Sequence, residues 1–176
     1  MMEDSEKQKI LRERARKLAI EGKNEDTGNV KFEIVEFMLS GERYGMESTY
    51  IREVYPLGDF TPIPCTPSFV LGVINIRGQV LSIIDIGTFF DLPRQGVTDL
   101  NMVIVLSSGT LEFGILADDI LGVRMVAVQD IQESLPTLTG IRAEYLKGVT
   151  NDRITVLDAR KILAGTKLIV HQEVTL

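Results

Sequence analysis

The sequence predicts a mostly β protein of two similar small barrels, preceded by a charged helical segment. Three observations lead there. Short apolar runs recur between closely spaced turn signals, as in small barrels or a sandwich. One of those runs has an echo later in the chain. The first 29 residues differ in texture from the remainder of the chain.

The echo sets the organisation. Gly72, Val73, Asn75 and Arg77 recur at the same spacing as Gly148, Val149, Asn151 and Arg153. A second match lies upstream of each copy: Tyr44, Gly45, Met46, Ile51 and Val54 against Phe113, Gly114, Ile115, Ile120 and Val123. Single coincidences among Gly, Val and Ile are common. Two matches in the same order at similar offsets point to duplication. The repeat is far longer than a solenoid unit, so two subdomains are expected and not an array.

Residues 6–21 are rich in Lys, Arg, Glu, Ala and Leu, and Ile10, Leu11, Ala15, Leu18 and Ala19 make a narrow apolar stripe. Gly22 is a stop and 22–29 a polar linker. The thin, Ala-rich stripe suits a solvated helix; the other reading is a helix docked on the body or a partner. Residues 32–39, a turn at 40–42 and a restart at 43–46 read as a hairpin. Ser48 caps a short helical turn carrying Ile51 and Val54 inward.

Residues 62–86, PIPCTPSFVLGVINIRGQVLSIIDI, form the central stretch. Three prolines lead in, which rules out an inner strand there. Two apolar runs then flank an Asn/Arg/Gly break, the pattern of a hairpin. The second run is apolar at both parities, so it is expected to be covered on both faces. Phe89, Phe90 and Leu92 give a helical turn stopped by Pro93. Residues 94–99 are the seam between halves. The second half repeats the plan: strands at 102–106 and 111–116, an extended run at 120–128, a loop at 136–140, a turn at 143–146 and a strand at 154–157. Asp158 and Gly165 bracket a short helix. Residues 168–174 offer an edge strand. The expected divisions are 1–29 for the extension, about 30–95 and 96–165 for the two barrels, and 166–176 for a tail.

Composition excludes several functions. The chain has 176 residues, 44% hydrophobic, enough for one domain or two halves sharing a core. A net charge of -6 argues against a nucleic-acid partner, whose phosphates need clustered Lys and Arg. Cys65 is the only cysteine, so neither an intrachain disulfide nor a Cys-based zinc site is available. The opening residues lack an apolar signal core, and no apolar run reaches about 18 residues, so no direct membrane insertion is expected. The expected location is cytoplasmic.

Catalytic groups are sparse. His171 has no nucleophile nearby in sequence and reads as a surface or edge-strand residue. Cys65 lacks basic neighbours and reads as a buried structural thiol. Asp118 and Asp119 are adjacent, so on a strand they face opposite sides, a poor geometry for paired acid/base work. No P-loop, dinucleotide fingerprint or nucleophile elbow occurs, and metal-ligand spacing is absent. No enzyme, cofactor or metal is expected.

At FVLGVINIRGQVLSIIDI the chain resembles the CheW family of chemotaxis adaptors, whose pattern is G-V-x-N-x-R-G followed by an apolar strand and Asp. The hairpin at 37–45, Ile51-Arg52-Glu53-Val54, the Ile63-Pro64 lead-in, Phe113-Gly114-Ile115 with Asp118, and Glu144-Tyr145-Leu146-Lys147-Gly148-Val149 agree in order. The resemblance spans about 32–165. It implies two five-stranded, SH3-like β-barrel subdomains sharing a hydrophobic core, with short helices and an N-terminal helical extension. It also implies a non-catalytic adaptor whose partners are the cytoplasmic tip of methyl-accepting chemoreceptors and the regulatory domain of the histidine kinase CheA. Ile51, Glu53, Asn75 and Arg77 match the receptor-binding positions; an edge-strand surface elsewhere is expected for the kinase. Arg77 has two expected roles, a pair with Glu53 and a partner contact. Gly87 stands where many members carry Arg or Lys, the N-terminal helix is longer than in minimal members, and the tail from 167 lacks a helical pattern. Other readings are a CheW-like coupling protein for another output, surface motility or gene regulation, and a small-ligand module in the inter-barrel cleft.

Overall fold

A computed structural model describes residues 30–93, 96–133 and 140–168. Within them lie β1 (Lys31–Leu39), β2 (Glu42–Glu47), β3 (Ile51–Pro56), β4 (Val70–Ile76), β5 (Gln79–Ile84) and helix α1 (Ile86–Phe89). Then come β6 (Met102–Ser107), β7 (Glu112–Ala117), β8 (Asp119–Ala127), β9 (Ile131–Gln132), α2 (Ile141–Glu144), β10 (Leu146–Thr150), β11 (Thr155–Leu157) and α3 (Ala159–Ala164). The expected N-terminal helix, the loop at 136–139 and the strand beyond 168 lie outside the described residues.

The strands make two sheets, ordered β8-β1-β2-β11-β10-β9 and β3-β6-β7-β5-β4. Matching β1 to β6, β2 to β7, β3 to β8, β4 to β10 and β5 to β11 turns the second order into the first five strands of the other, with β9 added at the end. The duplication is therefore structural. The copies follow one another in the chain, but the sheets do not divide at 95/96, because each copy lends its first hairpin to the sheet completed by the other. β2 pairs in parallel with β11, and β5 pairs in parallel with β7.

The echoed residues fall in equivalent places. Asp85 N donates to Phe69 O at 2.7 Å, and Asp158 N donates to Tyr145 O at 2.8 Å. Asp85 and Asp158 each cap a helix, accepting from Thr88 N at 3.0 Å and Lys161 N at 3.1 Å. The cap at Asp85 starts α1 at Ile86, ahead of the turn expected around Phe89 and Phe90. Phe69 and Tyr145 both pack on the Phe89 ring, at 5.1 and 5.4 Å between centroids.

Three apolar clusters hold the sheets. The largest draws Phe37, Tyr44 and Met46 from one sheet, Ile104, Leu106 and Ile115 from the other, and α1 and α3 between them. Ile74, Ile76, Leu81, Ile83 and Val103 fill the second sheet's own interior. Ile34, Val126 and Ile154 form a smaller interior in the first. Strand β5 is covered on both faces at Ile83 and Ile84, as expected, while Val80 at its start is exposed.

Residues 48–54 depart from expectation. Ser48–Tyr50 make one 3-10 turn, and Ile51 and Val54 lie on strand β3. The β-branched and aromatic run Ile51, Val54, Tyr55 suits a pleated surface, and β6 supplies the ladder.

Gly72 and Gly148 carry φ of 150° and 154°, which favours glycine. A Cβ on Gly72 would sit 2.3 Å from Thr61 O, and one on Gly148 would sit 2.6 Å from Gln132 O. Gly72→Ala and Gly148→Ala should each cost on the order of 1–3 kcal/mol, seen as a lower urea midpoint at unchanged slope.

Burial holds the Tyr44 phenol protonated well above its ordinary value of 10.0; Arg142 opposes the shift, and the hydrogen bond to Glu42 adds to it. The unfolded chain releases that proton first as pH rises, so the stabilisation is complete below about pH 10 and declines above it. Tyr44→Phe should flatten the alkaline loss of stability, measured by urea titrations at stepped pH.

Candidate functional site

Strand β3 is an end strand of its sheet, paired only with β6 among the described residues. The register shifts between Ile51 and Glu53, leaving Arg52 in a bulge. Ile51 is half-buried and packs with Tyr50 and Val54 on the shared core. The bulged Arg52 reaches across the surface. Its Nη1 lies 2.8 Å from Gln79 Oε1 and 2.7 Å from Glu112 Oε2, and its Nε lies 3.6 Å from Glu53 Oε1. Gln79 Nε2 donates to the same Glu112 oxygen at 2.6 Å. That bond from Gln79, chiefly, holds the Glu112 carboxyl below its usual range; burial opposes it, and Ser107 and Arg52 assist.

Arg77 is presented by the β4–β5 hairpin. Ile76 pairs with Gln79, so Arg77 and Gly78 are the whole turn, with φ of 53° and 88°. Two left-handed residues match the strand twist of a tight hairpin. Asn75 Oδ1 accepts from Gly78 N at 2.8 Å and anchors the turn. The Arg77 side chain is 75% exposed; its Nη2 lies 3.4 Å from Glu53 Oε2, and the Glu53 side chain is only 16% exposed. The pairing expected from the sequence is present, and the rest of the guanidinium faces solvent.

Beside this pair, Thr49, Tyr50, Ile51 and Arg52 face Ser107, Ser108 and Gly109 across an open hollow. The Tyr50 hydroxyl accepts from Arg160 Nε at 3.1 Å and Nη2 at 3.0 Å. Of the expected site residues, Ile51 lies opposite Leu106 on the core-facing side of β3, and Glu53, opposite Val105 on the other side, pairs with Arg77. Asn75 adjoins it through the turn. Arg52, Gln79, Glu112, Tyr50 and Arg160 complete the surface and went unrecognised in the sequence. The bulge that aims Arg52 at a strand three positions away in the sheet order leaves no local sequence signal.

Other expected groups take structural positions. Cys65 is exposed, not buried; it sits in the proline-rich lead-in with φ 62°, and such a loop runs over the surface. Asp118 accepts from Ser40 N at 2.6 Å and Asn101 Nδ2 at 3.3 Å, while Asp119 is exposed. The cleft between Ser40, Asp85, Thr88, Leu92 and Asp118 thus presents carboxylates already engaged in capping and loop bonds. His171 lies outside the described residues. Among the described residues no group of three or more His, Cys, Asp or Glu could hold a metal, and no helix is long and apolar enough to cross a membrane.

The CheW-like domain model matches residues 33–167, which takes in both sheets and the whole β3 surface. The chain belongs to the CheW family. Chemotaxis protein CheW of Treponema pallidum is 32% identical over 145 residues, covering 78% of this chain and 85% of that one. Protein FrzA of Myxococcus xanthus is 34% identical over 133 residues, covering 72% and 82%. Among solved structures, the scaffolding protein TtCheW of Thermoanaerobacter tengcongensis superposes with a TM-score of 0.65 at 27% identity, covering 73% of this chain and 84% of that one. In this CheW-family chain the mostly β, two-sheet expectation holds.

An ion pair this exposed contributes little to stability. A double-mutant cycle on Glu53→Gln and Arg77→Gln should give a coupling of about 0.2–1 kcal/mol in urea unfolding. A coupling near 3–5 kcal/mol would mark a buried structural pair instead.

Proposed function

We propose that this chain is a non-catalytic chemotaxis adaptor, coupling the cytoplasmic tip of a methyl-accepting chemoreceptor to the regulatory domain of the kinase CheA. Membership of the CheW family supports the class. The observation that carries the receptor site is the end strand β3, which carries half-buried Ile51 and, through Glu53, holds a mostly exposed Arg77. A receptor tip is a helical hairpin, and an amphipathic helix docks its apolar ridge on such a strand while rim charges fix its rotation. Ile51 and Tyr50 supply apolar contact. Arg77 offers a planar fork of donors that orients a carboxylate or carbonyl. Glu53 holds that fork until a partner replaces it.

The kinase module takes an edge strand other than β3, which leaves both partners bound at once. The chain then works on the cytoplasmic side of the membrane, recruited to receptor arrays. The likeness to FrzA favours a second reading, the same coupling chemistry serving another chemosensory output such as surface motility or gene regulation.

Labelled chain titrated with a receptor-tip hairpin should show shifts at Ile51, Glu53 and Arg77; the CheA regulatory domain should shift a separate edge strand. Arg77→Glu should weaken receptor binding while circular dichroism stays native. Tight receptor binding by the folded variant sinks the assignment of Arg77, and an unfolded variant makes the residue structural.

A further inference from the structure

The largest apolar exposure that the adaptor surface does not use lies on β8. Leu121, Val123 and Met125 alternate along that end strand and are 47%, 62% and 58% exposed. Their side chains share one face. Val30 and Val128 extend the row past the strand's end and are exposed too. The duplication shows where this is unusual. Val123 pairs with Val35 on β1 as Val54 pairs with Ile104 on β6, so Val54 is the counterpart of Val123. Val54 packs against the shared core, and Val123 does not. Arg52 and Pro56, the counterparts of Leu121 and Met125, are exposed as well, so the two copies differ here at Val123.

The point where the chain joins the fold suggests the cover. The first 29 residues lead into the body beside this row: Val128 N donates to Val30 O at 2.9 Å, and Lys31 pairs with Ala127 at the end of β8. Linker residues 22–29 reach at most about 27 Å. A helix over residues 6–21 is about 24 Å long. Strand β8, with 9 residues, runs about 30 Å. A helix turning back from Val30 therefore matches the row in length, and its linker is long enough for the reversal.

Chemistry matches as well. Residues 6–21 carry Ile10, Leu11, Leu18 and Ile20 as their large apolar side chains. Its Lys7, Lys9, Arg12, Arg14, Arg16 and Lys17 outnumber Glu6, Glu13 and Glu21. Acidic groups bracket the apolar row: Asp119 begins the strand, and Glu33 lies opposite Met125. Both are exposed. The stripe is thin, but so is the row it faces, one residue wide on a single strand.

We infer that residues 6–21 of this same chain form a helix that lies along β8, its Ile10–Leu11–Leu18 stripe covering Leu121, Val123 and Met125. The helix shields an apolar sheet edge that would otherwise recruit another strand.

The test uses the full chain with methyl-labelled Ile, Leu, Val and Met. The double variant Leu11→Asp/Leu18→Asp alters only the stripe. Compared with it, the unaltered chain should show shifted Leu121, Val123 and Met125 methyls and several-fold weaker broadening of them by a soluble paramagnetic agent. Core methyls such as Ile83 and Ile104 should not move, which separates docking from a folding defect. Added salt should weaken the protection. Two results overturn the inference. The methyls of β8 are equally accessible in both chains, or their protection grows with protein concentration, which assigns the face to a second copy.

Discussion

Two parallel strand pairings, β2 with β11 and β5 with β7, tie the molecule together. Each joins the first hairpin of one copy to the last strand of the other. Neither copy can complete a sheet from its own strands. Parallel neighbours need a long crossover, and here β2 reaches β11 through residues 48–154 and β5 reaches β7 through residues 85–111. The shared core is a direct consequence. Phe37 and Tyr44 arrive on one hairpin, Leu106 and Phe113 on the other, and α1 and α3 close the space between. The two sheets are thus fixed relative to one another by core packing. Many of these contacts are distant in sequence, so cooperative folding carries a large loop-closure cost. In return the end strands are presented at fixed separation, which is what a coupling protein requires.

The two copies are alike in topology and unlike in interior. Val105 helps fill the second sheet's apolar interior. Its counterpart on β1 is Glu36, buried and held by Arg43 and by Arg124 Nε at 3.4 Å. Arg124 continues to Asp152 Oδ2 at 2.7 Å. A buried carboxylate flanked by two guanidinium groups adds little net stability, because desolvation offsets most of the attraction. Removing one member would leave a buried charge without its partner. The first sheet thus has a small apolar interior and an ionic closure, and the second a larger apolar one. Divergence of this kind makes the two sheets of a near-symmetric body chemically distinct.

Much of this was legible in sequence, because the signals were local. The Asn75–Gly78 turn, the Asp158 cap and the echo between Phe69–Arg77 and Tyr145–Arg153 rest on short-range chemistry. The Asp85 and Asp158 caps match in hydrogen bonding, and Gly72 and Gly148 match in backbone angle, while the β10–β11 hairpin is shorter than β4–β5 and closes with Ile154 N on Thr150 Oγ1. Hairpin exchange was not legible. Both partners of a parallel pair show only that they are apolar strands, and no residue type records which copy a strand joins. The Arg52 bulge was hidden for the same reason, since register belongs to a pair of strands. Cys65 misled because cysteine is often buried, yet the prolines around it had already committed that segment to the surface. Asp85 read as the end of a strand, and its capping role needed only Thr88 three residues on.

Arg77, the proposed contact residue, is ordered in its backbone and still available in its side chain. A non-glycine residue at φ 53° is disfavoured by about 1–2 kcal/mol, and its copy Arg153 accepts the same penalty at 61°. Pairing of β4 with β5 and the Asn75–Gly78 bond supply the compensation. The backbone is therefore settled before any partner arrives. The side chain is not: its one acidic neighbour is 3.4 Å away and most of its surface is wet. Exchanging Glu53 for a partner's acceptor breaks only a weak, solvent-screened pair. A buried bidentate pair would have fixed the guanidinium and removed it from use; a fully free one would lose more rotamer entropy on binding. The loose pair on a rigid turn lies between these, and that balance suits the proposed receptor contact.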